Sequence, residues 1–303
     1  AYIKTAYRNS PDIQVGGNDE GGFSVDNARL VFSGKVGDYE LKASVEATGA
    51  AATIKDFYAR WKLCEEVTAQ IGNFKTPFLH TGVESDDAII FYDRSTNGAL
   101  WAAREPGVQL AGKHGQIQWW AAIQNGGDTQ GDELLLCGKA TFAFVGEPIA
   151  MKQTGGFGVD APTRVQAGLG YVDDASATTG TATATAVEVI GTTGPFFGLL
   201  EMVDYDDGFT AGNLAAGNAK KAADADVAET TPWGITGGWM ISEKGEVSLR
   251  YEDLDDDNDS TRIWAGYNCY LQGHALKWQL NWVSTQSDAG DVDELILGLT
   301  ASI

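Results

Sequence analysis

The chain has 303 residues, 42 acidic against 21 basic side chains and a formal net charge of −21, with 10% aromatic residues. That length allows one or two soluble domains or one large barrel, and the acidic balance argues against a nucleic-acid partner, because phosphates are held by clustered Lys and Arg. No run approaches the roughly 18 apolar residues of a spanning helix, which leaves a membrane barrel open, since its strands alternate and hide their hydrophobicity from a window average.

With 38 Gly against 7 Pro and many short apolar–polar alternations, the chain reads as all-β with tight turns. It begins at Ala1 with neither a basic n-region nor an apolar h-region, so the expectation is of an export signal already removed. Cys64, Cys137 and Cys269 form no CxxC pattern and are expected as small packing residues.

Residues 1 to 8 form a candidate first strand, followed by a polar Gly/Asn/Asp connection over 9 to 21. Two alternating runs then flank a turn at Gly37-Asp38. Ala28, Leu30, Phe32 and Val36 share one face with Tyr39, Leu41, Ala43 and Val45 of the next run. Asn27, Arg29, Ser33 and Lys35 oppose them, with Val31 the exception. Phe57, Ala59 and Trp61 continue the apolar face, while Asp56, Tyr58, Arg60 and Lys62 continue the polar one. That polar face carries Lys and Arg repeatedly, whereas the solvated face of a sandwich would be loosely constrained.

The segment from Thr76 to Arg104 lacks a clear strand period and spends Ile89, Ile90, Phe91 and Tyr92 in a row. A loop of that length is uncommon unless functional. It is read as folded inward against a cavity wall. Alternation resumes at Val108–Gly112, Ile117–Ile123 and Leu134–Phe142. Residues 145 to 162 are irregular, and strands return near 165–171, after a Thr/Ala/Gly-rich loop at 188–191, and at 196–204. Residues 206 to 232 read as a long external loop in which 219 to 228 could make a helical turn or two. The last third alternates most regularly, through 233–241, 247–251, 263–271, 276–282 and 295–303, and the total is about sixteen strands.

The connections alternate long and short, with 145 to 162 long where a short turn is due. Such two-sided asymmetry marks an outer-membrane barrel with short periplasmic turns and long extracellular loops. An even strand count also fits closure by pairing first and last strands. Tyr39, Trp61, Trp119, Tyr171, Trp233, Tyr251, Tyr267, Trp278 and Trp282 lie on the apolar face, as interfacial girdles require. The predicted fold is therefore a closed antiparallel transmembrane β-barrel over 1–303, its 76–104 loop folded into the lumen.

Residues IGNFKTPF (71–78), Ser85-Asp86, IIFYDR (89–94) and REPGVQLAG (104–112), with the hairpin over 27–46, resemble the phosphate-selective porin (OprO/OprP-like) family. The resemblance implies a sixteen-stranded outer-membrane channel, a homotrimer, with its third loop in the lumen and anions preferred by basic ladders. Here that loop holds more acids than arginines, and the terminal Ile303 departs from the aromatic end usual in such barrels.

Glu84, Ser85, Asp86 and Asp87 on the inward loop, with Arg94 and Arg104, are expected to face Arg29, Lys42, Arg60 and Lys62 across a constriction, where charges set against each other impose a transverse field. The same acids could instead pair with neighbouring arginines only to hold the loop down. The expected function is passive diffusion of small hydrophilic solutes and ions, with weak cation preference or little selectivity; a phosphate- or anion-selective channel of the same fold, a structural or adhesive outer-membrane array protein and a soluble β-binding module are the alternatives. The expected partners are the lipid bilayer and lipopolysaccharide. Asp253 to Asp259 lacks the Gly and terminal Glu of an EF-hand and reads as a solvated acidic loop or a divalent bridge to lipopolysaccharide. His80, His114 and His274 are dispersed, so neither catalysis, a metal nor a cofactor is expected.

Overall fold

The computed structural model describes residues 1–15, 18–48, 51–126, 133–175, 182–206, 208–209 and 228–303, with the backbone alone for 13–15 and 18–20. Sixteen strands run in chain order: β1 (Tyr2–Val15), β2 (Asn18–Val36), β3 (Tyr39–Glu46), β4 (Thr53–Lys62), β5 (Val67–Lys75), β6 (Arg104–His114), β7 (Ile117–Gln124) and β8 (Leu135–Val145). They continue as β9 (Ala161–Asp174), β10 (Ala182–Gly194), β11 (Phe196–Tyr205), β12 (Trp233–Met240), β13 (Gly245–Asp253), β14 (Thr261–Tyr270), β15 (Leu276–Gln286) and β16 (Val292–Ser302). Each pairs antiparallel with its sequence neighbours, and β1 closes on β16 from Tyr2↔Ser302 to Asn9↔Leu295. Closure leaves the sheet without edges, so the backbone groups of the strands are satisfied within it.

The period-two pattern decides which way each strand faces. In β13, Val247 and Leu249 are exposed while Glu246, Ser248, Arg250 and Glu252 are buried. In β2, Leu30, Phe32 and Val36 are exposed whereas Arg29 is 5% exposed. Apolar side chains outside and polar ones inside are the reverse of a soluble barrel. Outward aromatics form two bands, with Tyr39 opposite Trp61 and Tyr267 against Trp278 (ring centres 5.5 Å apart) near the short turns, and Trp233 against Tyr251 (5.3 Å) near the long connections.

One rim carries the short connections at 37–38, 63–66, 115–116, Pro195, 241–244 and 271–275, together with both termini, where the Ala1 amino group donates to Ile303 O at 2.9 Å. The long connections lie at the other rim, except 146–160, which joins β8 to β9 on the short-turn side. Several expectations need correction. The polar stretch at 9–21 is mostly strand, because Arg8↔Gly22 pairing continues to Val15↔Asn18 and lengthens the hairpin. The Thr/Ala-rich stretch before 188 is the start of β10, whose Ala182, Ala184 and Ala186 face inward. Small residues gave no apolar signal but leave room inside. The inward loop holds two short helices, α1 (His80–Val83) and α2 (Thr96–Leu100). Cys137 is buried as expected, but Cys64 is exposed in the 63–66 turn, so it is not a packing residue. The helical turn expected over 219–228 falls outside the described residues apart from its last position.

Candidate functional site

Apolar side chains of the inward loop fill part of the interior. Ile89, Ile90, Phe91 and Tyr92 are at most 1% exposed, and Ile90, Phe91 and Tyr92 pack with Ile190, Phe197, Trp264, Val283 and Ile296 of the barrel wall. Phe78, Leu79, Leu100 and Trp101 of the same loop pack on β8 to β11. Glycines at inward positions give these side chains their seats. A Cβ on Gly170 would press on Phe78, on Gly238 on Ile90, on Gly266 on Phe91, and on Gly298 would enter the ring of Tyr92. A strand glycine at such places marks close approach by another segment.

Polar wall side chains then bind the loop through its backbone. Lys277 donates to Ile89 O at 2.5 Å, Asn268 and Gln279 to Ile90 O at 2.7 and 3.0 Å, and Arg250 to Asp93 O at 3.3 Å. Lys4 donates to Tyr92 O, and Asn281 Oδ1 accepts from Tyr92 N at 2.7 Å. At the loop's start, Glu188 accepts from His80 N and Glu201 from Thr81 N, so the first amides of α1 dock on wall carboxylates. A buried backbone group without a partner costs free energy comparable to a lost hydrogen bond, so these contacts are what permits irregular chain inside a barrel.

Arg94 organises the loop from within. Its guanidinium donates to Thr81 O, to Glu84 O at 2.6 Å and to Asp86 Oδ1 at 2.6 Å, and lies 3.4 Å from Glu84 Oε1. Asp86 also meets Arg29 at 3.2 Å and accepts from Tyr2 OH at 3.1 Å. Burial raises the Glu84 carboxyl, and Arg94 offsets only part of that. Burial also opposes ionisation of Asp86, yet Arg94 first and then Lys75, Arg29 and Arg104 hold it well below the usual carboxylate range. A carboxylate depressed in the folded state contributes stability above its unfolded value, near 3.9, and loses it as pH falls through the folded value. Asp86 is therefore expected to keep the loop anchored from pH 7 to about 4 and release it only in stronger acid. Single-channel conductance of the Glu84→Gln variant followed over pH checks this; a step between pH 6 and 5 in that variant would contradict it.

The irregular connection 146–160 also turns inward, which the sequence reading left unexplained. Ile149 is 1% exposed, Thr154 Oγ1 accepts from Ile90 N at 3.1 Å, and Gly156 N donates to Glu246 at 3.1 Å. It braces the loop from the short-turn side. Gly155 and Gly156, with φ of 69° and 62°, adopt the left-handed backbone this crossing needs.

What remains open is a lumen of about 1440 Å³ along β1 to β6, β14 to β16 and the free edge of the loop. Two β-bulges shape its charge. Ala43 pairs with Phe57 but Val45 with Ile54, so Ser44 faces both Lys55 and Asp56, and both line the inner side. Lys4 pairs with Asn27 but Thr5 with Val25, which gives Asp26 the same placement. Strict alternation would have sent Lys55 outward, and for that reason the sequence reading missed it. Seven basic residues, Lys4, Arg8, Arg29, Lys55, Arg94, Arg104 and Arg262, line the lumen against five acidic ones, Asp26, Asp86, Asp93, Asp256 and Glu294.

Of the residues expected at a constriction, Asp86, Arg94, Arg29 and Arg104 come together at the lumen. Glu84 is 0% exposed and lies behind them. Ser85 is exposed and donates to Asp87, and neither lines the cavity beside Asp86 and Arg94. Lys42 reaches Asp56 at 3.6 Å, Arg60 binds Gln70 at 2.6 Å, and Lys62 is exposed beside the 63–66 turn, all toward the short-turn rim. In the 253–259 loop the carboxylates cap their own turns, Asp256 accepting from Ser260 N at 2.8 Å. Among the described residues no group of three or more His, Cys, Asp or Glu is placed to hold a metal.

A closed sixteen-stranded barrel with an apolar exterior, two aromatic bands and a loop narrowing a charged interior is a porin-type diffusion channel. The profile of the family "Phosphate-selective porin O and P" matches residues 8–202, and the chain belongs to that family. It is thus an outer-membrane porin. Solved structures share the fold at low identity. The anion-selective porin from Comamonas acidovorans is 12% identical with a TM-score of 0.63, over 100% of this chain and 98% of that one. Salmonella typhi OmpF in complex with daunomycin is 12% identical with a TM-score of 0.64, over 99% and 96%. The outer membrane channel DcaP of Acinetobacter baumannii is 13% identical with a TM-score of 0.60, over 100% and 95%. A search of curated proteins finds no significant match.

Proposed function

We propose that small hydrophilic solutes and ions cross an eyelet between the loop edge, Asp86 and Arg94, and the wall patch Arg29, Lys55 and Arg104, with a modest preference for anions. Glu84 holds the loop and does not touch solute, and Ser85 and Asp87 lie outside the eyelet. Lys42, Arg60 and Lys62 line the short-turn half of the path. The protein acts by passage and carries out no chemistry, and it assembles as a homotrimer in a lipopolysaccharide-containing membrane, where unheated gel electrophoresis checks the subunit number.

The observation that supports the anion preference is Lys55. Arg29, Arg94 and Arg104 each face a carboxylate, at 2.7, 2.6 and 3.2 Å. Among the described residues Lys55 has neither an ion pair nor a side-chain hydrogen bond, so its charge acts on solute undiminished by a partner. This general attraction differs from phosphate selectivity, which needs several unpaired donors converging on one anion. In a tenfold KCl gradient the reversal potential of the reconstituted protein is expected to have the anion-selective sign, and Lys55→Ala to move it toward zero. A cation-selective wild type would overturn the reading, as would a Lys55→Ala channel with unchanged selectivity.

A further inference from the structure

The chain's charge is unevenly divided along its sequence. The segments 11–21, 47–52, 127–134, 172–183, 204–231, 253–260 and 286–294, which join strands at the long-connection rim, hold twenty-three acids and two lysines. That difference of −21 equals the formal charge of the whole chain, and the other nineteen acids are matched by nineteen lysines and arginines. Among residues of these segments whose side chains are described, there are sixteen acids and no Lys or Arg, and Arg8 of β1 pairs with Glu294 at 3.1 Å. Outside these segments the lumen lining turns basic, with seven Lys and Arg against three acids, Asp26, Asp86 and Asp93.

We infer that the porin rectifies ionic current: an acidic mouth in series with a basic eyelet passes more current when the long-connection side is at positive potential than when it is negative. Fixed charge of one sign enriches the opposite mobile ion within about one Debye length, roughly 10 Å at 0.1 M salt. With the mouth positive, cations enter from the zone that concentrates them while anions leave the eyelet that concentrates them. Both accumulate between the two zones and conductance rises. With the opposite polarity both are drawn out of that region and conductance falls. The acids act here as a field, and no bound ligand is required. The inference rests on the channel reading above, but not on Lys55 alone.

The test is the current–voltage curve of single wild-type channels in symmetric KCl. In 0.05 M salt the currents at +100 and −100 mV are expected to differ by about 1.5- to 2-fold, and in 1 M, where the Debye length is about 3 Å, to become equal. Asp255→Asn, Asp257→Asn and Asp259→Asn combined remove exposed rim charges outside the eyelet. This variant is expected to show a reduced asymmetry and keep its 1 M conductance. Conducting but symmetric wild-type channels at 0.05 M overturn rectification and leave the diffusion reading standing. An asymmetry that persists at 1 M or is undiminished in the variant also overturns it, since its source would then lie elsewhere. Absence of conductance in any salt sinks both readings.

Discussion

Replacing Arg94 with alanine is expected to free the loop's inner turn, raise single-channel conductance and current noise, and lower the melting temperature in detergent. Arg94 satisfies two backbone carbonyls and two carboxylates of the loop, with its side chain 5% exposed and Glu84 fully buried. Removing one partner of a buried ion pair costs about 3–5 kcal/mol, because the remaining charge stays buried and uncompensated. Glu84, already raised by burial, would take up a proton; Asp86 would keep only Arg29 as a close cationic partner. Arg94→Lys should fall between, since an ammonium is a point charge and cannot fork between Glu84 O and Asp86. Conductance and melting both at wild-type values in Arg94→Ala would show that the wall contacts alone hold the loop.

The second large effect is expected from Gly298→Ala in β16. The added methyl would occupy the space of the Tyr92 ring. That ring cannot readily step aside, because Tyr92 is tied at its N to Asn281, at its O to Lys4 and at its hydroxyl to Asp26 at 2.7 Å. Overpacking a well-filled site costs typically 1–3 kcal/mol, and here the strain falls on the segment that narrows the lumen. The variant is expected to conduct more and to melt at lower temperature. Gly298→Ala combined with Tyr92→Ala restores the space, so the double variant should melt closer to Tyr92→Ala than the two single effects would add to. Strict additivity would mean that Gly298 is not the seat of Tyr92.

Much of this molecule can be read without coordinates. The alternation over Asn27–Glu46 and Trp233–Tyr251 already says which side chains meet lipid, because successive Cβ atoms of a strand point to opposite faces whatever the rest of the chain does. Turn lengths say which rim is which. A run such as Ile89–Tyr92 in a polar connection says that the loop is buried. The failures have equally local causes. Ala182–Ala186 was lost because alanine and threonine carry little apolar contrast, and 9–21 because polar Gly-rich strands look like loops once they leave the membrane. Lys55 was missed because a bulge adds one residue to the count and reverses the parity beyond it.

Thus the period of two and the punctuation between its runs determined the barrel, its lipid face, its strand number and the burial of its third loop. The tertiary structure alone decided where that loop rests, which acids it neutralises, and that the remaining passage is bordered by more cations than anions in a chain of net charge −21. The physical reason is separation along the chain. Strand faces follow from adjacent residues, whereas the loop's anchors join Tyr92 to Asn281, Ile89 to Lys277 and His80 to Glu188, 189, 188 and 108 positions apart. Partners so distant leave no periodic trace in the sequence, and come into register only when β16 closes on β1.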